Sequence, residues 1–77
     1  MAIEPRMTAR QALDAYFLET RAKLLEIAAT LDRIERLAGA AEVRGDGRLK
    51  FVTEALAVLN GDGPCRAERL QRLYSAP

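Results

Sequence analysis

The chain has 77 residues, enough for one small domain, and its 12 basic and 11 acidic side chains nearly cancel. This balance does not favour nucleic acid or an anionic membrane as a partner. One cysteine and no histidine exclude an intrachain disulfide and any catalytic pair that needs a histidine. We therefore expect no catalytic residue, no metal site and no cofactor.

The opening segment, residues 1–7, is short and contains Glu4, Pro5 and Arg6. It has no apolar core of the kind found in secretory signals, and we expect a disordered arm. The chain also contains no run of 18 apolar residues, which a membrane-spanning helix would require. These features predict a cytoplasmic protein that does not contact a membrane.

A long first helix is predicted from residue 8 to about residue 40. Thr8 and Gln11 have the spacing of a capping box, in which each side chain binds the backbone of the other residue. Neither proline nor glycine follows until Gly39, and most of the intervening residues favour helix. Gly39 is the expected stop, although residues 40–43 are able to extend the helix by about one turn.

Two short helices are predicted after a glycine-containing turn at residues 44–47. The second helix covers about residues 48–59 and ends at Asn60-Gly61. The third covers about residues 64–74, with Pro64 at its first position. The predicted fold is all-α, with one long N-terminal helix plus two short helices in a single helical domain, residues 8–77.

The tripeptide at residues 44–46 matches a cell-adhesion motif, which we interpret as coincidence because short motifs recur by chance.

The first helix carries two apolar rows. One is a heptad seam, which favours packing against another helix in the manner of a coiled coil. The second row lies beside it, and together the rows span about 200° of the helix circumference, twice what a surface helix needs. The seam consists of Leu13, Phe17, Leu24, Ile27, Leu31, Ile34 and Ala38, and the second row of Ala15, Leu18, Ala22, Leu25 and Ala29.

The two short helices have enough length to cover one side of this helix but not both. A chain of this size also buries a limited share of its surface, and without disulfides or metals a partner subunit is the remaining means of stabilisation. We therefore predict a homodimeric helical bundle in which the second row and two neighbouring charges form the interface. The predicted interface residues are Asp14, Ala15, Leu18, Arg21, Ala22, Leu25 and Ala29.

Asp14 and Arg21 lie between the two apolar rows, where a charge needs either a partner or a path to solvent. They are seven residues apart, more than about 10 Å along one helix, and so do not pair within it. In an antiparallel dimer, Asp14 of one chain would face Arg21 of the other. The alternative is that Arg21 lays its stem on the apolar surface and keeps its guanidinium group in water.

The sequence leaves three classes of function open. The first is a non-enzymatic module for self-assembly or for interaction with another helical protein. The second is a small helix-turn-helix-like DNA binder that uses Arg66, Arg69 and Arg72 of the third helix. The third is an enzyme subunit with a site between chains, lined by Asp14, Tyr16 or Arg21. We favour the first, because the charge balance does not support DNA binding.

Two further features have both a functional and a structural interpretation. Glu19 and Glu26 lie one heptad apart, but without histidine we expect a solvated face on which Glu19 pairs with Lys23. Cys65 is predicted near the start of the third helix, where backbone amides favour a thiolate. We expect this cysteine to be inert, because no general base is available.

Overall fold

The computed structural model describes residues 6–75, and this part of the chain contains helices and no strands. The helices are α1 (Ala9–Arg36), α2 (Ala40–Val43), α3 (Gly47–Asn60) and α4 (Arg66–Ser75). The all-α prediction is confirmed for these residues. The chain divides into two units, Met1–Leu37 and Ala38–Pro77, so that α1 forms one unit and the three shorter helices form the other.

The start of α1 is held by the predicted capping box. The backbone N–H of Gln11 donates to Oγ1 of Thr8 at 3.1 Å, and the backbone N–H of Thr8 donates to Oε1 of Gln11 at 2.9 Å. These bonds satisfy two donors that a helix start otherwise leaves unpaired. Most of the predicted N-terminal arm lies outside the described residues.

The end of α1 comes earlier than predicted, at Arg36 instead of about residue 40. Leu37 has an extended backbone, with φ −88° and ψ 158°, and this conformation interrupts the helical hydrogen bonds. Gly39 then adopts φ +86°, a left-handed conformation that glycine reaches without the strain of a Cβ atom. The backbone turns there and forms the separate helix α2, so the structure has three short helices instead of the two predicted.

Asp46 begins α3 as its N-cap residue. Its carboxylate accepts a hydrogen bond from the backbone N–H of Arg48 at 2.8 Å, and its carbonyl accepts from the N–H groups of Leu49 and Lys50. The helix runs from Gly47 to Asn60, one residue longer at each end than predicted, and Gly61 is its C-cap as expected. The predicted turn is thus present, and its aspartate starts the helix that follows.

The start of α4 differs from the prediction, because Pro64 lies outside the helix. Cys65 has φ +72°, which is incompatible with a right-handed helix, and the helical residues therefore begin at Arg66. The first helical hydrogen bond runs from the N–H of Arg69 to the carbonyl of Cys65 at 3.0 Å. Proline is common at the first helical position, but the prediction that Pro64 occupies this position was wrong.

The core of the second unit lies between α3 and α4. These two helices pack together, and Ala55 of α3 is buried. The rings of Phe51 and Tyr74 meet edge to face, with centroids 5.5 Å apart and planes inclined by 68°. Such an arrangement places the positive edge of one ring against the negative face of the other. Among the described helices, none is long and apolar enough to cross a membrane.

The capping box generates a test of α1. We expect Thr8→Ala to destabilise the helix by about 1 kcal/mol, because the Gln11 N–H loses its acceptor. The measurement is a thermal melt followed by circular dichroism at 222 nm. Thr8→Ser keeps the hydroxyl and should melt close to the parent. Equal melting of the parent and the alanine variant would contradict a stabilising role for the cap.

Candidate functional site

The most distinctive surface of the described chain is the apolar part of α1, which has no buried residue. Its large apolar side chains remain exposed through the first two thirds of the helix. Leu18 is 75% exposed, and Phe17, Leu24 and Leu25 are each slightly more than half exposed. The exposed set on α1 is Leu13, Tyr16, Phe17, Leu18, Leu24, Leu25 and Ile27.

The large apolar residues of the heptad seam are exposed along with those of the second row. Within the unit that contains α1, these seam residues are Leu13, Phe17 and Leu24. Leu31 and Ile34, in the C-terminal part of the seam, are half-buried. Phe17 and Leu24 therefore belong to the candidate site beside the predicted second row.

Arg21 lies at the centre of this surface. On a helix, the neighbours of a residue on the same face are three and four positions away. For Arg21 these four neighbours are all large and apolar, and all four are exposed. They are Phe17, Leu18, Leu24 and Leu25. No acidic residue of α1 therefore stands at pairing distance along its face, and no ion pair of Arg21 occurs among the described residues.

The small residues of the second row follow the same face. Ala15, Ala22 and Ala29 recur every seven residues and are exposed. Side chains of this size let the backbone of another helix approach closely, whereas larger side chains would keep it away. Together with Asp14, Leu18, Arg21 and Leu25, all seven predicted interface residues are exposed on α1.

The polar face of α1 behaves as an ordinary solvated surface. Lys23 and Glu19 form the predicted ion pair, with 3.5 Å between Nζ and Oε2 and both side chains largely exposed. Such surface pairs contribute little to stability. Within residues 6–75 there is no cluster of acidic residues and cysteine that could hold a metal ion.

In the Arg44-Gly45-Asp46 tripeptide, the Asp46 side chain binds within the chain itself. Both carboxylate oxygens of Asp46 bind the Arg48 guanidinium, at 3.0 Å to Nε and 2.9 Å to Nη2. The side-chain hydrogen bond with Arg48, followed by the bond from the Arg48 backbone, lowers the pKa of Asp46 from 3.8 to about 2. The sequence motif did not indicate this pairing, because residues two apart on a regular helix face different directions.

The arginine row of α4 also contacts the chain itself. Nε and Nη2 of Arg66 donate to the carbonyl of Gly61 at 3.1 and 2.8 Å, and Nη2 of Arg69 donates to the carbonyl of Asp62 at 2.7 Å. Arg72 binds the carboxylate of Glu68 at 2.8 Å. Each guanidinium therefore has an acceptor in the α3–α4 connection or on α4. The arrangement gives these arginines a structural role that their spacing alone did not predict.

The second unit also has an open depression of about 470 Å³ beside the start of α3. Its lining offers two cations and one carboxylate, and its only hydroxyl, on Thr53, donates to the carbonyl of Leu49. Nothing in this lining pairs a nucleophile with a base. The depression is lined by Arg44, Gly45, Leu49, Lys50, Thr53 and Glu54.

Cys65 is an exposed free thiol on the residue that precedes α4. Its expected position near a helix start is confirmed.

Comparisons of the chain with protein-family models, with curated proteins and with solved structures found no match. Among the features of the described residues, the exposed apolar surface of α1 is the strongest indication of a function, because contiguous exposed apolar surface usually marks a contact site.

The Asp46 cap generates a pH prediction. Because the pKa of Asp46 is lower in the folded chain, its ionised form stabilises the start of α3 above pH 3.8. This stabilisation should be lost as the pH falls from 3.8 through about 2. The measurement is the NMR chemical shift of the Arg48 amide, which reports the hydrogen bond directly.

The matched control is Asp46→Asn, which keeps a capping oxygen but does not titrate. We expect its Arg48 amide shift to stay flat over the same pH range. If the amide shift of the parent chain titrates with its midpoint at the ordinary aspartate pKa of 3.8, the stabilisation of ionised Asp46 by Arg48 is contradicted.

Proposed function

We propose that this chain is a non-enzymatic self-assembly module in which two copies pair through α1. The observation that carries the proposal is the exposed apolar surface between Leu13 and Ile27, on a helix with no buried residue. A second copy is the occupant we favour, because it supplies an apolar helix of matching length and a charge complement for Arg21. A different helical protein is the alternative occupant, and the experiments below separate the two.

The energy available from this surface is comparable with what a dimer needs. Burying a large apolar side chain completely stabilises by about 1.5–3 kcal/mol, and about half of that remains available on the exposed residues. For six such residues on each of two copies the gain is about 9–18 kcal/mol, against an association cost of about 4–15 kcal/mol. A surplus of about 4–8 kcal/mol, which lies within the difference between these two ranges, corresponds to dissociation constants from about 1 mM to about 1 μM. We therefore expect an association that depends strongly on concentration.

An isolated helix also gains stability from such pairing. Helices without tertiary contacts are marginal in water, even with good helix formers. The described residues of the first unit contain no second element to pack against α1. A partner helix would supply the packing that this unit lacks, so we expect association and the helicity of α1 to rise together.

The other two functional classes receive no supporting observation. DNA binding would require guanidinium groups directed to phosphates, whereas those of α4 contact the chain itself. The enzyme alternative required Asp14, Tyr16 or Arg21 to line a site between chains. Arg21 has apolar residues at all four neighbouring positions on its face of α1, which suits contact better than catalysis.

Leu25→Lys tests the proposal. We expect the dissociation constant of the dimer to rise at least about tenfold, because each interface would lose an apolar contact and receive a charge. Sedimentation equilibrium over a range from about 10 μM to 1 mM, chosen to bracket the expected constant, gives the mass of the associating species.

The control is Thr30→Lys, which adds the same charge at a polar position of α1 that belongs to neither row and lies beyond Leu25. It should leave association unchanged. A parent that remains monomeric throughout this range would overturn the proposal, and so would equal effects of the two lysine variants.

A further inference from the structure

We infer that the two copies pair antiparallel and off-centre, with the two-fold axis midway between Phe17 and Leu18, so that Asp14 of each chain binds Arg21 of the other. This inference rests on the proposed self-assembly and adds its orientation, its register and the residues that select them. The decisive observation is the position of Arg21 among four exposed apolar neighbours.

Covering this surface removes the Arg21 guanidinium from water, and a buried cation needs an acidic partner. Its own helix offers none at three or four positions in either direction. Two acidic residues share the column of Arg21 on α1: Asp14, one heptad before it, and Glu35, two heptads after it. Pairing Arg21 with Glu35 would centre an antiparallel pair on Ala28 and leave Leu13, Phe17 and Leu18 outside the overlap, so Asp14 is the partner that we infer. Asp14 and Arg21 are about 10 Å apart along the helix, so they meet only across an interface.

Orientation decides whether the charges in this column attract or repel. In a parallel, in-register pair, Asp14 faces Asp14 and Arg21 faces Arg21. In an antiparallel pair with its axis between Phe17 and Leu18, Asp14 and the partner's Arg21 both lie about 5 Å from the axis and therefore stand level. The two-fold symmetry repeats this pair, and both like-charge contacts are replaced by opposite-charge contacts.

The register is off-centre for the same electrostatic reason. Sliding the antiparallel pair until the whole of α1 overlaps places the axis between Ala22 and Lys23 and brings the two Arg21 side chains within about 5 Å along the axis. The offset register avoids that repulsion and pairs residues 9–26 of both chains. These residues include Leu13, Phe17, Leu18, Leu24 and Leu25, all more than half exposed.

The part of α1 left outside this overlap has less need of a partner. Beyond residue 26, the large apolar side chains of the seam are the less exposed ones: Ile27 is 38% exposed, and Leu31 and Ile34 are half-buried. The residues with the greatest exposed apolar surface and the residues covered in the offset register are therefore the same. Charge and exposure select this arrangement independently.

A charge-swap cycle tests the pairing of Asp14 with Arg21 of the other chain. Asp14→Arg places arginine against arginine, and Arg21→Asp places aspartate against aspartate, so each single variant should raise the dissociation constant roughly tenfold. The double variant Asp14→Arg/Arg21→Asp restores opposite charges across the interface and should return the constant close to that of the parent. Sedimentation equilibrium at low salt is the measurement, because salt screens these pairs.

Cross-linking tests the orientation in a Cys65→Ser background, in which each chain carries only the thiol that is introduced by a second substitution. A cysteine at position 18, from Leu18→Cys, lies beside the proposed axis and should form an interchain disulfide. In the antiparallel register, the two copies of position 25 are separated by about 22 Å along the helices, far beyond the roughly 7 Å that a disulfide spans between Cα atoms. Leu25→Cys should therefore remain reduced under the same mild oxidant, at concentrations where sedimentation shows it to be dimeric.

The outcomes separate this inference from the proposed function. Efficient cross-linking of Leu25→Cys would indicate either a parallel pair or an antiparallel pair centred nearer to residue 25, and it would overturn the inference while leaving self-assembly intact. A double charge variant that associates no better than the single variants would overturn the pairing of Asp14 with Arg21, again leaving self-assembly intact. A parent chain that stays monomeric at every concentration would overturn both.

Discussion

The constraint on which the rest of the structure depends is the cost of keeping an apolar helix in water. Within its unit α1 has no second element, and none of its residues is buried. Backbone hydrogen bonds alone hold a helix of this kind only marginally, because water competes for the same groups. The capping box at Thr8 adds local support but covers no apolar side chain. The proposed pairing through α1 would supply the apolar cover that this unit lacks.

The second unit is stabilised in a different way, by local polar contacts around a small core. Asp46 fixes the start of α3, and the guanidinium groups of Arg66 and Arg69 hold the carbonyls of the α3–α4 connection. These contacts involve residues two to seven positions apart, so they form without long loops and with little entropy cost of closure. The edge-to-face contact of Phe51 and Tyr74 then joins the two helices. The second unit is thus held mainly by hydrogen bonds, whereas the first unit presents an exposed apolar surface.

The sequence predicted those features that depend on nearby residues. The capping box at Thr8, the turn before α3 and the Gly61 stop were all recognisable, because each rests on the chemistry of a few adjacent positions. The early end of α1 at Leu37 was not, because leucine favours helix and the extended conformation there has no local signature. The left-handed Cys65 was missed for the same reason.

The candidate surface was predicted in part. Apolar periodicity located both rows of α1. Leu18 and Leu25 of the second row are exposed, and so are Phe17 and Leu24 of the seam. Periodicity shows which residues share a face, whereas coverage depends on where other elements pack. The structural roles of Arg48 and Arg66 were likewise beyond reach, since long flexible side chains select their acceptors only once the backbone has turned.

Apolar surface alone would make α1 adhere to many partners, so the charges within it matter for selectivity. A hydrophobic face binds any similar face, and discrimination requires an arrangement that penalises the wrong one. Arg21 provides such a penalty, because any apolar helix that covers it without supplying an acid leaves a cation without a partner. In the pairing proposed above, Asp14, one heptad away, is the acid that a second copy brings. There the same two residues would weaken contact with unrelated helices and make the chain complementary to itself, a property that neither apolar row has on its own.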